Sequence, residues 1–352
     1  MNHRHSYWTS GAAACAALLL IGCSEAPSNG GSGGSSGQSG AAGMTAAGAS
    51  GAGGMVSKGG GGGASGSGNT AGSPPSGGSS AGGGAGSSGQ GGGGSGSGGS
   101  AGGGGKTEVV KSAGCTDGAT QMLNQWVESM VMTEGSNRPY SVRLPTGYDP
   151  MRAYPVVVLL HGCSGGTNNV PMENETGADA ILVRGTGSAA NTCWETGADS
   201  ADVAFFDAMV ADAKMRFCTD ENRFFAVGYS SGSWLVNQLT CIRADVLRGA
   251  ASVAGGESAR GDCGSPVARI FLHDEQDNDN QIEDSERARD RQLTQNMCDE
   301  AAAPMPVDPS PCVLYQGCAA GYPVQWCPTM GKMHGRQDDF APELFWNFFK
   351  AL

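Results

Sequence analysis

Glycine is distributed unevenly along this chain, and its distribution decides which part of the chain can fold. Most of the 61 glycines lie before residue 106, in a stretch of glycine, serine and alanine with scattered proline, glutamine and methionine. Such a stretch cannot bury enough apolar surface to offset the entropy lost when it is ordered. We therefore expect residues 23–105 to form a flexible linker and residues 106–352 to form one domain of ordinary size.

The first residues have the composition of an export signal. A short polar segment containing Arg4 precedes an apolar run over residues 11–22, which is too short to span a bilayer. The run leads into the sequence LIGC, which ends at Cys23 and is similar to a bacterial lipobox. We predict a lipoprotein signal peptide over residues 1–22, lipidation of Cys23, and an exported protein that is anchored to the outer cell surface or secreted. The alternative is an ordinary signal peptide that happens to contain a cysteine.

Cysteine content and net charge limit the chemistry of the domain. An even number of cysteines in an exported chain indicates a disulfide framework, and the lack of a CxxC pair argues against a zinc site. The net charge of −12 repels phosphate backbones, so nucleic acid is an improbable partner. We expect a monomer without metal or organic cofactor that meets a membrane only through its lipid anchor. The domain's cysteines are Cys115, Cys163, Cys193, Cys218, Cys241, Cys263, Cys298, Cys312, Cys318 and Cys327.

Short apolar runs alternate along the domain with segments long enough for helices. Several of the runs are almost continuous in valine, leucine, isoleucine and phenylalanine, which is typical of strands covered by helices on both faces. This alternation predicts an α/β domain with a mostly parallel central sheet flanked by helices. The predicted strands are Ser141–Leu144, Pro155–His161, Ala180–Arg184, Arg223–Tyr229, Gly249–Ala254, Ala268–His273 and Tyr322–Trp326. The predicted helices are Asp202–Phe217, Ser231–Arg243, Ile282–Met297 and Pro342–Leu352.

One of these strands leads directly into the sequence GYSSG, residues 228–232, which is a GxSxG motif at a strand-to-helix junction. A sharp turn there strains the backbone of the central serine, and small residues on both sides let the strand and the helix approach closely. We therefore predict that Ser230 is a nucleophile. A glycine- and serine-rich turn without a catalytic function is the alternative.

A serine hydroxyl needs a base within hydrogen-bond reach. The domain's histidines are His161, His273 and His334. His161 begins a turn directly after a strand, and His273 adjoins an acidic loop, where a structural role suits it. By elimination, we predict that His334 is the base, and its position late in the chain agrees with the order nucleophile, acid, base.

An acidic loop follows the strand that contains His273. One of its carboxylates is predicted to orient the imidazole of the base and to stabilise its charged form. Position alone does not choose among them, and an acidic run of this kind also suits a solvated loop without a catalytic role. The carboxylates of this loop are Asp274, Glu275, Asp277 and Asp279.

Two backbone N–H groups are expected to form an oxyanion hole. One belongs to Ser231, the residue after the nucleophile, and the other to Cys163 in the turn after His161. The side chain of Cys163 then remains free for a disulfide.

The sequence also suggests a disulfide beneath the nucleophile. Cys218 precedes the strand that leads into Ser230, and Cys241 lies near the end of the helix that leaves it. A strand of about seven residues covers roughly 23 Å, and the helix returns about 15 Å over ten residues. We therefore predict a bond between Cys218 and Cys241.

Five motifs occur together in residues 115–352. They are RPYSVRLP at 138–145, the His161-Gly162 turn, ADVAFFD at 201–207, GYSSG at 228–232, and CAAGYPVQWC at 318–327. In combination they resemble the secreted feruloyl esterases and polyhydroxybutyrate depolymerase-like esterases, close to the acetylxylan esterases. This resemblance implies the α/β-hydrolase fold.

The resemblance also bears on the acid. In that family the strand before the acid usually ends in His-Gly-x-x-Asp, which places the acid at Asp277 and puts Asp274 where glycine is usual. The residues that follow His334 are Gly335-Arg336, whereas the family often has Trp-Pro there.

The resemblance implies a serine esterase that acts through an acyl-enzyme on feruloyl or acetyl esters of plant cell-wall polysaccharide. Its partner is then a polymeric or oligomeric ester. A polyhydroxyalkanoate depolymerase is the alternative within the same class. A catalytically inactive surface binding module is the alternative from another class, and the complete set of Ser230, Asp277 and His334 argues against it.

Overall fold

The computed structural model describes residues 108–116, 123–133, 135–257 and 263–352. The predicted signal peptide, the predicted lipidation site Cys23 and the predicted linker lie outside the described residues. Strands are β1 (Trp126–Thr133), β2 (Ser136–Arg143), β3 (Tyr154–Leu160), β4 (Ile181–Gly185), β5 (Thr219–Tyr229), β6 (Leu247–Val253), β7 (Ala268–Asp274), β8 (Met305–Pro306), β9 (Val313–Leu314) and β10 (Val324–Thr329). Helices are α1 (Glu173–Thr176), α2 (Ala201–Arg216), α3 (Ser231–Ile242), α4 (Ile282–Gln295) and α5 (Ala341–Lys350).

The strands form a 10-stranded sheet in the order β1-β2-β4-β3-β5-β6-β7-β10-β9-β8. The central strands from β4 to β10 are parallel to their neighbours, and the strands at both margins pair antiparallel. The prediction of an α/β fold with a mostly parallel sheet is confirmed. Parallel strands bring their carboxyl ends to one edge of the sheet, and catalytic groups gather at that edge.

Successive side chains of the central strands point to opposite faces of the sheet, so the core is divided into two layers. In β3, Val156 and Val158 face a cluster that includes side chains of α2 and α3. Val157 and Leu159 face the opposite cluster, to which α5 contributes aromatic side chains. Helices therefore cover both faces of the sheet, which explains why β3 is buried along its whole length.

Each predicted strand and helix overlaps an observed element. The sequence pattern missed the edge strand β1, the two-residue strands β8 and β9, and the short helix α1. Within the described ranges, no helix has both the length and the apolar composition that a membrane crossing requires.

The predicted disulfide between Cys218 and Cys241 is wrong. Cys218 is bonded to Cys115, and Cys241 is bonded to Cys263. The prediction failed because β5 has 11 residues rather than about seven, so it covers about 36 Å while α3 returns only about 18 Å over its 12 residues. The remaining disulfides are Cys163–Cys193, Cys298–Cys318 and Cys312–Cys327, and the expectation of a disulfide-rich domain is confirmed.

Candidate active site

Ser230 occupies the turn between β5 and α3 at the carboxyl edge of the sheet. Its φ of 52° and ψ of −119° lie outside the conformations that residues with a side chain prefer. A β-carbon on Gly232 would lie 2.1 Å from the carbonyl oxygen of Leu160, and one on Gly228 would lie 2.4 Å from the carbonyl oxygen of Gly232. Both glycines are therefore required by the close approach of strand and helix. The Ser230 N–H donates to the carbonyl of Val253 at 2.9 Å, which fixes the turn to β6.

His334 lies between the serine and a carboxylate. Its Nε2 is 2.9 Å from Ser230 Oγ, and its Nδ1 is 2.8 Å from Asp277 Oδ2. Because an ionised carboxylate only accepts hydrogen bonds, Nδ1 carries the proton, and Nε2 is left with a lone pair directed at the serine hydroxyl. The structure thus brings together Ser230, His334 and Asp277, which the sequence analysis assigned from separate parts of the chain.

Asp277 is held in a fixed orientation by the backbone of its own loop. Its side chain is fully buried, and its Oδ1 accepts hydrogen bonds from the N–H groups of Asp279 at 2.9 Å and Asn280 at 3.0 Å. The other oxygen, Oδ2, is therefore presented to His334. Glu275 and Asp279 point their side chains into solvent, so Asp277 is the member of the acidic loop that contacts the imidazole.

His273 is a buried neighbour of the same carboxylate. Its Nε2 donates to the carbonyl oxygen of Asn280 at 3.0 Å and lies 3.5 Å from Asp277 Oδ2, while its Nδ1 is buried without a hydrogen-bond partner. Burial lowers the pKa of the His273 imidazole, although the contact with Asn280 acts in the opposite direction. A neutral imidazole with its proton on Nε2 satisfies these contacts, and it supports the acidic loop without reaching Ser230.

His161 also lies away from the serine hydroxyl, in the core beneath the turn that follows β3. Its Nε2 accepts a hydrogen bond from the N–H of Gly187 at 3.3 Å, and its carbonyl accepts one from the indole N–H of Trp194 at 2.9 Å. Burial lowers the pKa of His161. The side chain therefore anchors the turn in which Cys163 lies.

The two N–H groups assigned to the oxyanion hole flank the nucleophile. Ser231 is the first residue of α3, where N–H groups have no partner inside the helix and the helix dipole favours negative charge. A β-carbon on Gly162 would lie 3.3 Å from the β-carbon of Ser230, which places the Cys163 turn against the serine. In the described part of the chain, neither the Cys163 N–H nor the Ser231 N–H donates to a backbone carbonyl. The Cys163–Cys193 disulfide ties this turn to the loop after β4.

Tyr229 is a site residue that the sequence analysis missed. Its hydroxyl donates to the backbone carbonyl of His334 at 2.8 Å, and the two rings lie 5.4 Å apart between centroids. Burial raises the pKa of the phenol, so the hydroxyl keeps its proton and remains a donor. Only its position next to Ser230 in the motif signals a role, because the partner lies 105 residues away.

A cavity of about 200 Å³ with a mixed polar and apolar lining lies beside the Cys163 turn. Gly166 and Thr167 of that turn line the cavity together with residues of β1, β2 and β4. The Arg184 guanidinium stacks on the Trp126 ring, 4.0 Å from its centroid, and has no hydrogen-bond acceptor among the described residues. Arg184 is therefore a hydrogen-bond donor in the lining of the cavity. Its lining residues are Glu128, Pro139, Tyr140, Ser141, Gly166, Thr167, Arg184, Gly185 and Thr186.

No group of three or more histidine, cysteine, aspartate or glutamate side chains in the described ranges is arranged to hold a metal ion. The groups at the site are a hydroxyl with a strained backbone, an imidazole with a free lone pair, a buried carboxylate, and two backbone N–H groups. Together they are the elements that acyl transfer through a serine nucleophile requires.

The chain is similar in sequence to feruloyl esterases and in structure to an acetyl xylan esterase. The chain is 28% identical over 269 residues to feruloyl esterase D from Neurospora crassa, an alignment that covers 68% of this chain and 90% of that protein. It is 26% identical over 259 residues to a probable feruloyl esterase C from Aspergillus terreus, covering 68% of this chain and 92% of that protein. A solved acetyl xylan esterase from Aspergillus awamori matches with a TM-score of 0.53 and 12% identity, covering 64% of this chain and 100% of that one. No protein-family model matches the chain.

The sheet order and the serine turn define an α/β-hydrolase, and the acetyl xylan esterase shares that fold. The chain is a carboxylic ester hydrolase, and its curated relatives are feruloyl esterases. The predicted resemblance to the feruloyl esterase group is thereby confirmed.

Proposed function

We propose that this chain hydrolyses feruloyl or acetyl esters of plant cell-wall polysaccharide through an acyl-enzyme, with Ser230 as nucleophile, His334 as base and Asp277 as the orienting acid. The observation that carries the proposal is the pair of contacts made by His334, 2.9 Å to Ser230 Oγ and 2.8 Å to Asp277 Oδ2. The feruloyl esterase relatives support the choice of acyl group.

Acylation begins when Ser230 Oγ attacks the carbonyl carbon of the ester. The serine proton passes to Nε2 of His334, and the electron pair of the carbonyl bond moves to its oxygen, where the N–H groups of Cys163 and Ser231 stabilise the negative charge by ~3 kcal/mol each. When the carbonyl re-forms, the bond to the alcohol oxygen breaks, and His334 gives that oxygen its proton. The sugar alcohol leaves, and the acyl group remains on Ser230.

Deacylation repeats these steps with water as the nucleophile. His334 takes a proton from the water as its oxygen attacks the acyl carbon, and it returns this proton to Ser230 Oγ as the acyl-oxygen bond breaks. The products are the free acid and the unchanged serine. In both steps Asp277 keeps the imidazole in the productive tautomer and stabilises its protonated form.

The cavity beside the Cys163 turn supports a sugar as part of the substrate, at a subsite whose lining contains none of Ser230, Asp277 and His334. Glu128, Ser141 and Arg184 are cross-strand neighbours in one row of the sheet, and they supply an acceptor, a hydroxyl and a donor. Vicinal sugar hydroxyls donate and accept hydrogen bonds and suit such a row, whereas an aliphatic polyester has no donor for Glu128. This difference favours polysaccharide esters over polyhydroxyalkanoate.

We also propose that the protein is exported and anchored through a lipid on Cys23. The disulfides of the domain support export, because disulfides persist in oxidising compartments. The sequence LIGC that ends at Cys23 supports the anchor. A Cys23→Ser variant of the full chain should move from the detergent phase to the aqueous phase on phase separation. An unchanged partition would contradict the anchor and leave the esterase assignment intact.

The test of the activity is a substrate panel on the purified protein and its Ser230→Ala variant. We expect release of ferulate from methyl ferulate and from feruloylated arabinoxylan fragments, or of acetate from acetylated xylan, and little release of hydroxybutyrate from polyester film. Ser230→Ala should lower kcat by several orders of magnitude with little change in Tm. Retention of a tenth of the activity would refute the nucleophile. Faster hydrolysis of the polyester would assign the enzyme to the depolymerases, and failure to cleave even p-nitrophenyl acetate would favour a binding module.

A further inference from the structure

Asp274 is the last residue of β7, and its side chain is fully buried. In the described part of the chain, no lysine or arginine forms an ion pair with it. A buried carboxylate without an ion pair is costly unless its oxygens accept hydrogen bonds. The hydrogen bonds that Asp274 accepts therefore indicate its structural role.

The carboxylate of Asp274 joins two loops. Its Oδ1 accepts a hydrogen bond from the N–H of Gln276 at 3.0 Å, in the acid loop, which we define as residues 275–281. Its Oδ2 accepts one from the N–H of Lys332 at 2.8 Å, in the base loop, which we define as residues 330–337. Lys332 lies two residues before His334, so the contact ends close to the base.

Thr329 extends the contact to the other side of His334. Its hydroxyl donates to Asp274 Oδ2 at 3.0 Å and accepts from the side-chain amide of Gln337 at 2.9 Å. Thr329 and Asp274 are register partners at the carboxyl ends of β10 and β7, which are parallel neighbours. The base loop is therefore attached to Asp274 directly at Lys332, before His334, and through the hydroxyl of Thr329 at Gln337, after His334.

The base loop needs such attachment because its backbone is strained. Met333 has a φ of 54° and Gln337 a φ of 56°, both in the left-handed region that residues with a side chain rarely adopt. Conformations of this kind persist only where surrounding contacts impose them. The hydrogen bonds to Asp274 and Thr329 fall on these two residues or directly beside them.

We propose that Asp274 is a positioning residue for catalysis, which locks the base loop to the acid loop and so sets the distance between His334 and Asp277. The inference rests on the proposed function, because it assumes that these two residues act together.

The charge of Asp274 is part of this role. Burial by itself raises the pKa of the carboxyl, but the hydrogen bonds from Lys332, Gln276 and Thr329 outweigh it and hold the pKa below its ordinary value. The group is therefore ionised at neutral pH and acts as an acceptor only. An asparagine in its place would present an NH₂ group to one set of these donors and would lose contacts on that side.

The experiment compares Asp274→Asn, Thr329→Val, the double variant and Glu275→Gln in the full-length protein. Glu275 neighbours Asp274 but is exposed, so its variant is the matched control. Steady-state kinetics with p-nitrophenyl acetate are measured well below the unfolding midpoint of each variant. We expect Asp274→Asn to lower kcat about 10- to 100-fold with KM within about threefold, because displacement of a catalytic group by about 1 Å can have this effect. Thr329→Val should lower kcat about threefold or more, and Glu275→Gln should match the parent.

The double variant separates positioning from general destabilisation. Because both side chains belong to one connection, their effects on kcat should be less than multiplicative. A kcat of Asp274→Asn within twofold of the parent, an equal loss in Glu275→Gln, or multiplicative effects would overturn the proposal. If Asp274→Asn does not fold, Thr329→Val decides, and a parental kcat in that variant counts against the lock. Ser230→Ala, assayed in parallel, tests the proposed function separately from the role of Asp274, because its residual activity depends on whether Ser230 is the nucleophile.

Discussion

Replacement of Asp277 by asparagine should disable the enzyme through the tautomer of His334. The N–H groups of Asp279 and Asn280 both donate to Asp277 Oδ1, so an asparagine keeps its carbonyl oxygen at that position. Its NH₂ group then takes the place of Oδ2, 2.8 Å from His334 Nδ1. Because NH₂ only donates, Nδ1 must accept, and the ring proton moves to Nε2, where it blocks proton transfer from Ser230.

The size of the effect follows from the same contacts. A flip of the amide would restore the productive tautomer but would leave two backbone N–H groups without an acceptor, at roughly 1–3 kcal/mol each. With the loss of the carboxylate charge that stabilises the imidazolium, kcat should fall by ~10³–10⁴, or about 4–5.5 kcal/mol in the barrier. The assay is steady-state hydrolysis of p-nitrophenyl acetate, with Asp279→Asn as the matched change on the same loop. A loss in Asp277→Asn of less than tenfold, or an equal loss in Asp279→Asn, would refute the reasoning.

Four further variants test other contacts. The double variant Cys163→Ser/Cys193→Ser removes a disulfide that closes a loop with a sequence separation of 30, so the free energy of unfolding should fall by about 3.6 kcal/mol in denaturant titrations. Its kcat should also fall, because the turn that contains the oxyanion N–H of Cys163 loosens, and an unchanged kcat would contradict the role of that turn. Arg184→Gln should raise KM about 5- to 10-fold for feruloylated arabinoxylan fragments and leave methyl ferulate unaffected; equal effects on both would contradict a sugar site. Tyr229→Phe should lower kcat about fivefold through loss of one hydrogen bond to His334, and parental kcat would exclude a positioning role. The folded-state pKa of Asp274 is below its ordinary value of 3.8, so ionised Asp274 stabilises the fold at neutral pH and this stabilisation is lost as the pH falls below about 4. The difference in the free energy of unfolding between the parent and Asp274→Asn should therefore decrease below about pH 4, and a difference independent of pH would contradict the ionised form.

The centre of the fold was predictable because β3 and residues 224–229 of β5 are buried and almost continuously apolar, and because β6 and β7 are buried along their whole length. The edge strand β1 was not, because Met130 and Met132 are exposed while Val131 between them is buried, so the apolar residues of its sequence do not mark the buried face. The strands β8 and β9 have two residues each, too few to show a period. The apolar pattern that identified the central strands is therefore missing from the strands at the margins of the sheet, which are partly exposed to solvent.

The site divides in a similar way. Ser230 was identified by a local motif and His334 by elimination, whereas the choice of Asp277 depended on a family pattern. In the acidic loop Asp274 and Asp277 are buried, whereas Glu275 and Asp279 are exposed. The composition of the sequence does not distinguish these two pairs. The role of Asp274 depends on partners 55 and 58 residues away, which only the neighbouring positions of β7 and β10 reveal.

The amino-terminal segment 108–116 has a mechanical consequence. It lies along the start of β5, where the N–H of Ser112 donates to the carbonyl of Thr219, and Cys115 is bonded to Cys218. About 36 Å of strand separates this attachment from Ser230 at the other end of β5. A force applied to the amino-terminal end of this segment is therefore transmitted to the domain through the disulfide at Cys218, directly before β5. Ser230 and the other catalytic groups lie at the opposite end of that strand.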